Sequence, residues 1–174
     1  MSVQTARLQA DRLIDSYHVE RAPVDVLSLA RQLGLSVIFE NLGEGVSGLL
    51  VTRAGRGFIV VQKQEKPARQ RFTIAHEIGH YVLRHQFDNG RPVHVDRGYL
   101  ISQRGPRSTT GLDAKEIEAN QFAATLLMPV RLLKTALSKL GDPPLSDGVV
   151  TELAKIFQVS EQPMTIRLTS LGWL

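Results

Sequence analysis

Five consecutive residues, His76-Glu77-Ile78-Gly79-His80, carry the clearest chemistry in this chain. Histidines four apart stack on one face of an α-helix, so both imidazoles reach a single ion, while the glutamate after the first projects beside them toward a water on that ion. That arrangement suits a zinc hydrolase. Zinc sites that hydrolyse use three protein ligands and keep a fourth position for water, so a third ligand is required. The extended pattern with a further histidine is absent, because Leu83 and Gln86 stand where it needs Gly and His. His85, His94, Glu116 and Glu118 are the remaining candidates. On a continued helix His85 would lie about 140° round from His80, a poor position for a shared ion. His94 falls in a long stretch without period. Glu116 fits two roles: with Asp113 it forms the spacing of a capping box, and with Asn120 one turn later it forms a ligand backed by an amide that can hydrogen-bond a metal-bound histidine. Glu118 points about 160° from the Glu116–Asn120 line and is expected in solvent.

The elements that must position these groups follow from periodicity. Ala6, Ala10, Leu13, Ile14 and Tyr17 recur at helical spacing behind Thr5, which can cap the helix. VDVLSLARQLG repeats the pattern and stops at Gly34. LSVIFE, residues 35–40, predicts a strand, and GLLVT and GFIVVQ around RAGR predict a hairpin. QRFTIAHEIGHYVLRH, residues 70–85, returns to helical period, with Phe72, Ala75, Ile78, Val82 and Leu83 on one broad face. Residues 86–112 form a long aperiodic loop, a kind usually tied to function or motion. Asp113 opens a helix ending at Pro129, VRLLKTALSKLG forms another closed by Gly141, and two short helices meeting at Val159-Ser160 finish the chain. The fold class expected is α+β, mainly helical, with a small sheet of about three strands. Gly79, inside the metal helix, costs up to about 1 kcal/mol relative to Ala, which a closely packed neighbouring backbone would explain.

With 174 residues, 43% hydrophobic and 22% charged, the chain has enough apolar material for a core and is no disordered polyelectrolyte. The absence of Cys excludes disulfide frameworks, iron–sulfur clusters and thiol nucleophiles, so any metal must sit on His and carboxylates. No apolar run approaches the roughly 20 residues that span a bilayer, and the polar start MSVQTARLQADRLID lacks a signal-peptide core. A cytoplasmic location, with no membrane partner, is expected. The net charge of +4 is concentrated in residues 53–107, with 11 basic against 4 acidic side chains, a bias that favours an acidic partner or a solvated surface.

RFTIAHEIGHYVLRH together with EIEANQFAATLLMP resembles the ImmA/IrrE family of zinc-dependent endopeptidases, which are similar in site layout to gluzincin proteases. PVDVLSLARQLGLSV ahead of a hairpin containing SGLL also fits, and the likeness covers about residues 5 to 172. The resemblance implies a zincin-like metallopeptidase core over residues 1–141 and a helix-turn-helix-like segment over 142–174 packed on it. It implies one zinc ion per chain on His76, His80 and Glu116, with Glu77 as general base and Asn120 supporting the ligands from behind. Manganese or iron also suits two histidines and a carboxylate. Tyr81, His85, His94 and Tyr99 are candidates for steadying the oxyanion or touching substrate, and GFIVVQ is expected to offer an edge on which an extended peptide pairs. The resemblance further implies a helix-turn-helix repressor, encoded next door, as substrate, whose cleavage relieves repression of stress or mobile-element genes. The other reading is a non-proteolytic regulator, toxin–antitoxin-like or binding DNA or a repressor, with a structural metal. Direct DNA reading by the last helix has little support, since Arg167 is its one basic residue.

Overall fold

Ser2 rather than Thr5 caps the first helix: its hydroxyl accepts the Thr5 amide at 3.2 Å, and α1 spans Val3–Ser16 with Ala6, Ala10, Leu13 and Ile14 inward. The structure, a computed structural model, describes residues 2–53, 56–85, 93–96 and 111–174, with backbone alone at 53, 93–96 and 111–113. Helix α2, Val26–Gln32, starts on the Asp25 carboxylate, which accepts the Ser28 amide at 2.9 Å. It gives way to β1 through Gly34 at φ 77°, a left-handed conformation that glycine takes without a Cβ clash.

Among the described residues the sheet has four strands in the order β1-β3-β2-β4: β1 Leu35–Glu40, β2 Gly48–Arg53, β3 Arg56–Gln62 and β4 Val93–Asp96. The three strands legible from the sequence are joined by β4, which comes from the aperiodic stretch. β2 and β3 pair antiparallel with Arg53 opposite Arg56, as the hairpin reading requires, while residues 54–55 of its turn lie outside the described residues. β1 adds in parallel to the other side of β3, Leu35 opposite Gly57, and β4 adds antiparallel to β2, Gly48 opposite Asp96. The expectation that GFIVVQ offers a free edge is therefore wrong. β3 is paired on both sides, and among the described residues the outer strands are β1 and β4.

Helix α3, Pro67–Val82, carries the His-Glu-x-x-His residues and opens on Pro67, where a missing amide costs nothing. From Phe72 to His80 every residue is buried. Helix α4, Gly111–Leu127, lies against both α1 and α3 and buries Phe122, Leu126 and Leu127 completely. α5, Val130–Lys139, follows Pro129, and Gly141 turns the chain at φ 86°. α6, Asp147–Phe157, and α7, Glu161–Ser170, are joined through Gln158 in the left-handed region. Ser160 holds the cap position of α7 without a side-chain cap bond.

One apolar core runs from Ala6 and Ile78 through Phe122 to Leu153, Phe157, Met164 and Leu168, so α6 and α7 bury their faces in the same mass as α3. Two arginines stitch it. Arg71 of α3 donates to the Val24 carbonyl at 2.9 Å and to the Gln158 carbonyl at 3.3 Å. Arg167, 3% exposed, donates through Nε to the Met128 carbonyl at 3.2 Å; burial, reinforced by Arg7 and opposed by Asp11, pulls its pKa down to about 10. The one basic side chain of α7 is thus turned inward, away from any base edge. Among the described residues no helix is long and apolar enough to cross a membrane.

Candidate metal centre

His76 and His80 sit one turn apart on α3 and face α4, which supplies Glu116. Their Nε2 atoms are 2.9 Å apart, and the Glu116 carboxylate presents Oε2 to His76 at 3.2 Å and Oε1 to His80 at 3.4 Å. Two donors on a tetrahedral zinc with bonds of about 2.0–2.1 Å are separated by about 3.3 Å, so three donors converge at the spacing one ion requires. Two imidazoles and a carboxylate form a set that zinc accepts and that leaves a fourth position open. Among the described residues this is the only group of three or more such side chains able to hold an ion.

Burial by itself would raise the Glu116 pKa, but hydrogen bonds and charge from His76 and His80 overcome it and hold the carboxyl well below its usual range. The capping-box role is not taken. Helix α4 already begins at Gly111, which puts Asp113 inside the first turn rather than at the cap. Asn120, one turn beyond Glu116, meets His76 Nδ1 with its Oδ1 at 3.0 Å. Since that oxygen only accepts, His76 donates from Nδ1 and keeps the Nε2 lone pair toward the centre.

Glu77 is completely buried and faces β2 at Gly48: a Cβ added there would stand 3.5 Å from Glu77 Oε1 and fall on the Thr73 side chain. The close approach of a strand backbone to the metal helix is thus made at Gly48. At Gly79 the neighbour is a side chain instead, Phe122 of α4, with three atoms 3.1–3.2 Å from the position of a Cβ.

The other expected residues are placed as follows. Tyr81 is partly exposed, with its ring edge against Gly57 of β3. His94 lies on β4 opposite Leu50, its side chain outside what the structure describes, and Tyr99 lies outside the described residues altogether. His85 turns back to His80. Its Nδ1 is 2.9 Å from His80 Nδ1 and its Nε2 is 3.0 Å from Glu118 Oε2, so both nitrogens are engaged behind the ligand rather than offered to a substrate. Glu118, expected in solvent, is buried.

The position of His85 has a local cause. Helix α3 ends at Val82, and Arg84 takes φ 53°, so the chain reverses: His85 N bonds the His80 carbonyl at 3.1 Å and Arg84 N bonds that of Tyr81 at 3.2 Å, the paired bonds of a Schellman turn. The 140° offset assumed a helix that has already stopped. No glycine marks the stop, and so the sequence holds no signal for it. Burial, opposed by Glu118, lowers the His85 pKa from its ordinary value.

A buried helix-borne histidine pair, an adjacent buried glutamate and a carboxylate from the next helix give this α+β protein a group that could hold a metal ion. The family described as IrrE N-terminal-like domain, Peptidase_M78, matches residues 30–169, and the chain belongs to this peptidase family. It is 28% identical over 153 residues to "Uncharacterized immunity region protein 2" of Bacillus phage phi105, covering 86% of this chain and 87% of that protein. It is 32% identical over 112 residues to "Radiation response metalloprotease IrrE" of Deinococcus radiodurans, covering 64% of this chain and 30% of the relative. With the protein of the same name from Deinococcus deserti the identity is 33% over 103 residues, covering 59% and 32%. The chain thus matches less than a third of the length of each Deinococcus metalloprotease. A solved structure, "Mycobacterium tuberculosis transcriptional regulator", superposes with a TM-score of 0.63 at 18% identity, over 97% of this chain and 47% of that one, and shares the fold.

Proposed function

We propose that this chain is a cytoplasmic zinc-dependent endopeptidase that makes a site-specific cut in a helix-turn-helix transcriptional repressor, relieving repression of stress or mobile-element genes. The observation that carries this reading is the convergence of His76 Nε2, His80 Nε2 and the Glu116 carboxylate beside buried Glu77. A structural zinc would use four protein ligands, and only three donors converge among the described residues. The Deinococcus relatives are named radiation response metalloproteases and the phage relative an immunity region protein, names that accord with a regulatory peptidase.

In this mechanism His76, His80 and Glu116 hold the ion. When bound, zinc supplies a Lewis acid that polarises a peptide carbonyl and acidifies water. Glu77 takes the proton of the attacking water on its carboxylate and delivers it to the departing amine, while burial away from bulk water keeps that proton local. Asn120 holds the His76 ring in register. Among the described residues β4 is an outer strand, with Asp96 opposite Gly48, and it replaces β3 as the strand on which an extended peptide would pair. The segment 142–174, packed into the common core, serves as a docking part of the peptidase rather than a DNA reader.

The test is incubation of zinc-loaded protein with the helix-turn-helix regulator encoded beside it, wild type against Glu77→Gln, with fragments read by intact mass. A single cut made by wild type alone is expected. Complex formation without cleavage by either protein would replace the peptidase with a binding module.

A further inference from the structure

His80 is backed by two residues that the catalytic reading leaves unused, and their order decides which of its nitrogens faces the ion. A carboxylate oxygen accepts hydrogen bonds, so His85 donates from Nε2 to Glu118 Oε2 at 3.0 Å. A neutral imidazole with its proton on Nε2 can only accept at Nδ1. The partner of His85 Nδ1, at 2.9 Å, is His80 Nδ1, which must therefore donate. That leaves the lone pair of His80 on Nε2, the atom turned to His76 and Glu116. With the opposite tautomer, an Nε2 proton would point into the place of the ion.

We infer that His85 and Glu118 are positioning residues that fix the tautomer and ring orientation of His80, so that Glu118, His85 and His80 form one directed hydrogen-bond chain ending on the metal. The geometry makes this chain the counterpart of the Asn120 contact that sets His76, but assembled from a turn. Arg84 in the left-handed conformation and the His85 N to His80 O bond of 3.1 Å fold the His85 ring back on the ligand, and Glu118 reaches it from α4, two residues after Glu116. A single helix, α4, thereby supplies a ligand, the support of one ligand and the end of the chain behind the other. The side chains of His85 and Glu118 are almost inaccessible, 4% and 6% exposed, which shields the chain from competing water. The inference rests on the metal-centre reading, and its test separates the two.

Zinc affinity is measured by competition with a chromophoric chelator for wild type, His85→Phe, Glu118→Leu and His85→Asn, alongside the melting temperature of each metal-free protein. Side-chain ¹⁵N NMR of metal-free wild type reads the His80 tautomer directly. Expected are an Nδ1–H tautomer in wild type, zinc binding weakened about 10–100-fold in His85→Phe and Glu118→Leu, and recovery of most of the loss in His85→Asn, whose amide oxygen can again accept from His80 Nδ1. The double variant His85→Phe/Glu118→Leu should bind no more weakly than His85→Phe, because both substitutions cut one chain. A dominant Nε2–H tautomer in wild type, or unchanged zinc affinity in His85→Phe, would overturn the inference. So would His85→Asn failing to rescue while the melting temperatures fall together, the signature of a packing role. Should His85→Phe not fold, the wild-type tautomer and the Asn variant decide. A wild type that binds no zinc would sink the metal-centre reading itself, and the tautomer would then judge the chain alone.

Discussion

Replacing Gly79 by alanine sets helix propensity against packing, and the structure indicates which wins. In an exposed helix the change would stabilise by about 0.8–1.0 kcal/mol. Here the new methyl would stand 3.1 Å from Phe122 Cδ1 and 3.2 Å from its Cβ and Cγ. Carbon atoms at rest lie about 3.5–4.0 Å apart, so three contacts fall short by roughly 0.3–0.9 Å. A ring can rotate away, but Phe122 Cβ moves only with the α4 backbone, and Phe122 is completely buried. Overpacking of a filled core costs about 1–3 kcal/mol. Subtracting the propensity gain leaves a net loss of about 1 kcal/mol, or roughly 2–4 °C in melting temperature for a chain of this size. Because α4 also carries Glu116, the same displacement lengthens the 3.2 and 3.4 Å approaches to the two histidines, and zinc should bind more weakly. Denaturant unfolding of the metal-free protein and chelator competition measure the two effects. Phe122→Leu, which removes the crowded ring, should show favourable coupling with Gly79→Ala of at least about 0.5 kcal/mol in a double-mutant cycle. If Gly79→Ala proves about 1 kcal/mol more stable with unaltered zinc affinity, the packing of α3 on α4 does not set the site.

Saturating zinc at 100 times its dissociation constant should stabilise the fold by about 2.7 kcal/mol, visible as a rise in melting temperature that EDTA reverses. His76→Ala and Glu116→Ala should abolish that rise, as judged by differential scanning fluorimetry. Gly48→Val would drive a side chain into Thr73 and Glu77, with an expected loss of about 1–3 kcal/mol and a fall in kcat for the proposed cleavage; normal stability by urea titration would contradict the close approach. Arg167→Leu should destabilise by about 1–3 kcal/mol because the buried Met128 carbonyl loses its donor, and it should leave any DNA retention in a gel-shift assay unchanged. A retention that disappears with full stability would restore the DNA-reading role.

His76, Glu77 and His80 were legible because ligand chemistry and helical period coincide within five residues. Glu116 was legible as one of several candidates, and family likeness singled it out. What escaped depended on where the chain stops obeying a period. The turn that brings His85 back onto His80 depends on a left-handed Arg84 after α3, which no glycine marks, and the burial of Glu118 on α4 has no sign in the helical period. The strands were readable, yet their order was not: nothing in LSVIFE says that it crosses over to lie parallel to β3 and so removes the edge GFIVVQ was expected to offer. β4 is too short to announce itself by alternation. Ser2 displaced Thr5 as cap because both types can fill that role two or three residues apart.

The Arg71 guanidinium has a consequence for how the molecule opens. One cation on the metal helix holds both the loop leading into α2, through Val24, and the end of α6, through Gln158. Neither segment can move away without disturbing the guanidinium that also holds the other, and both sit on the same apolar core. Amide exchange should therefore find no separately fraying C-terminal unit: the slowest amides of α6 should exchange with those of α3, in a single cooperative foldon that includes His76 and His80.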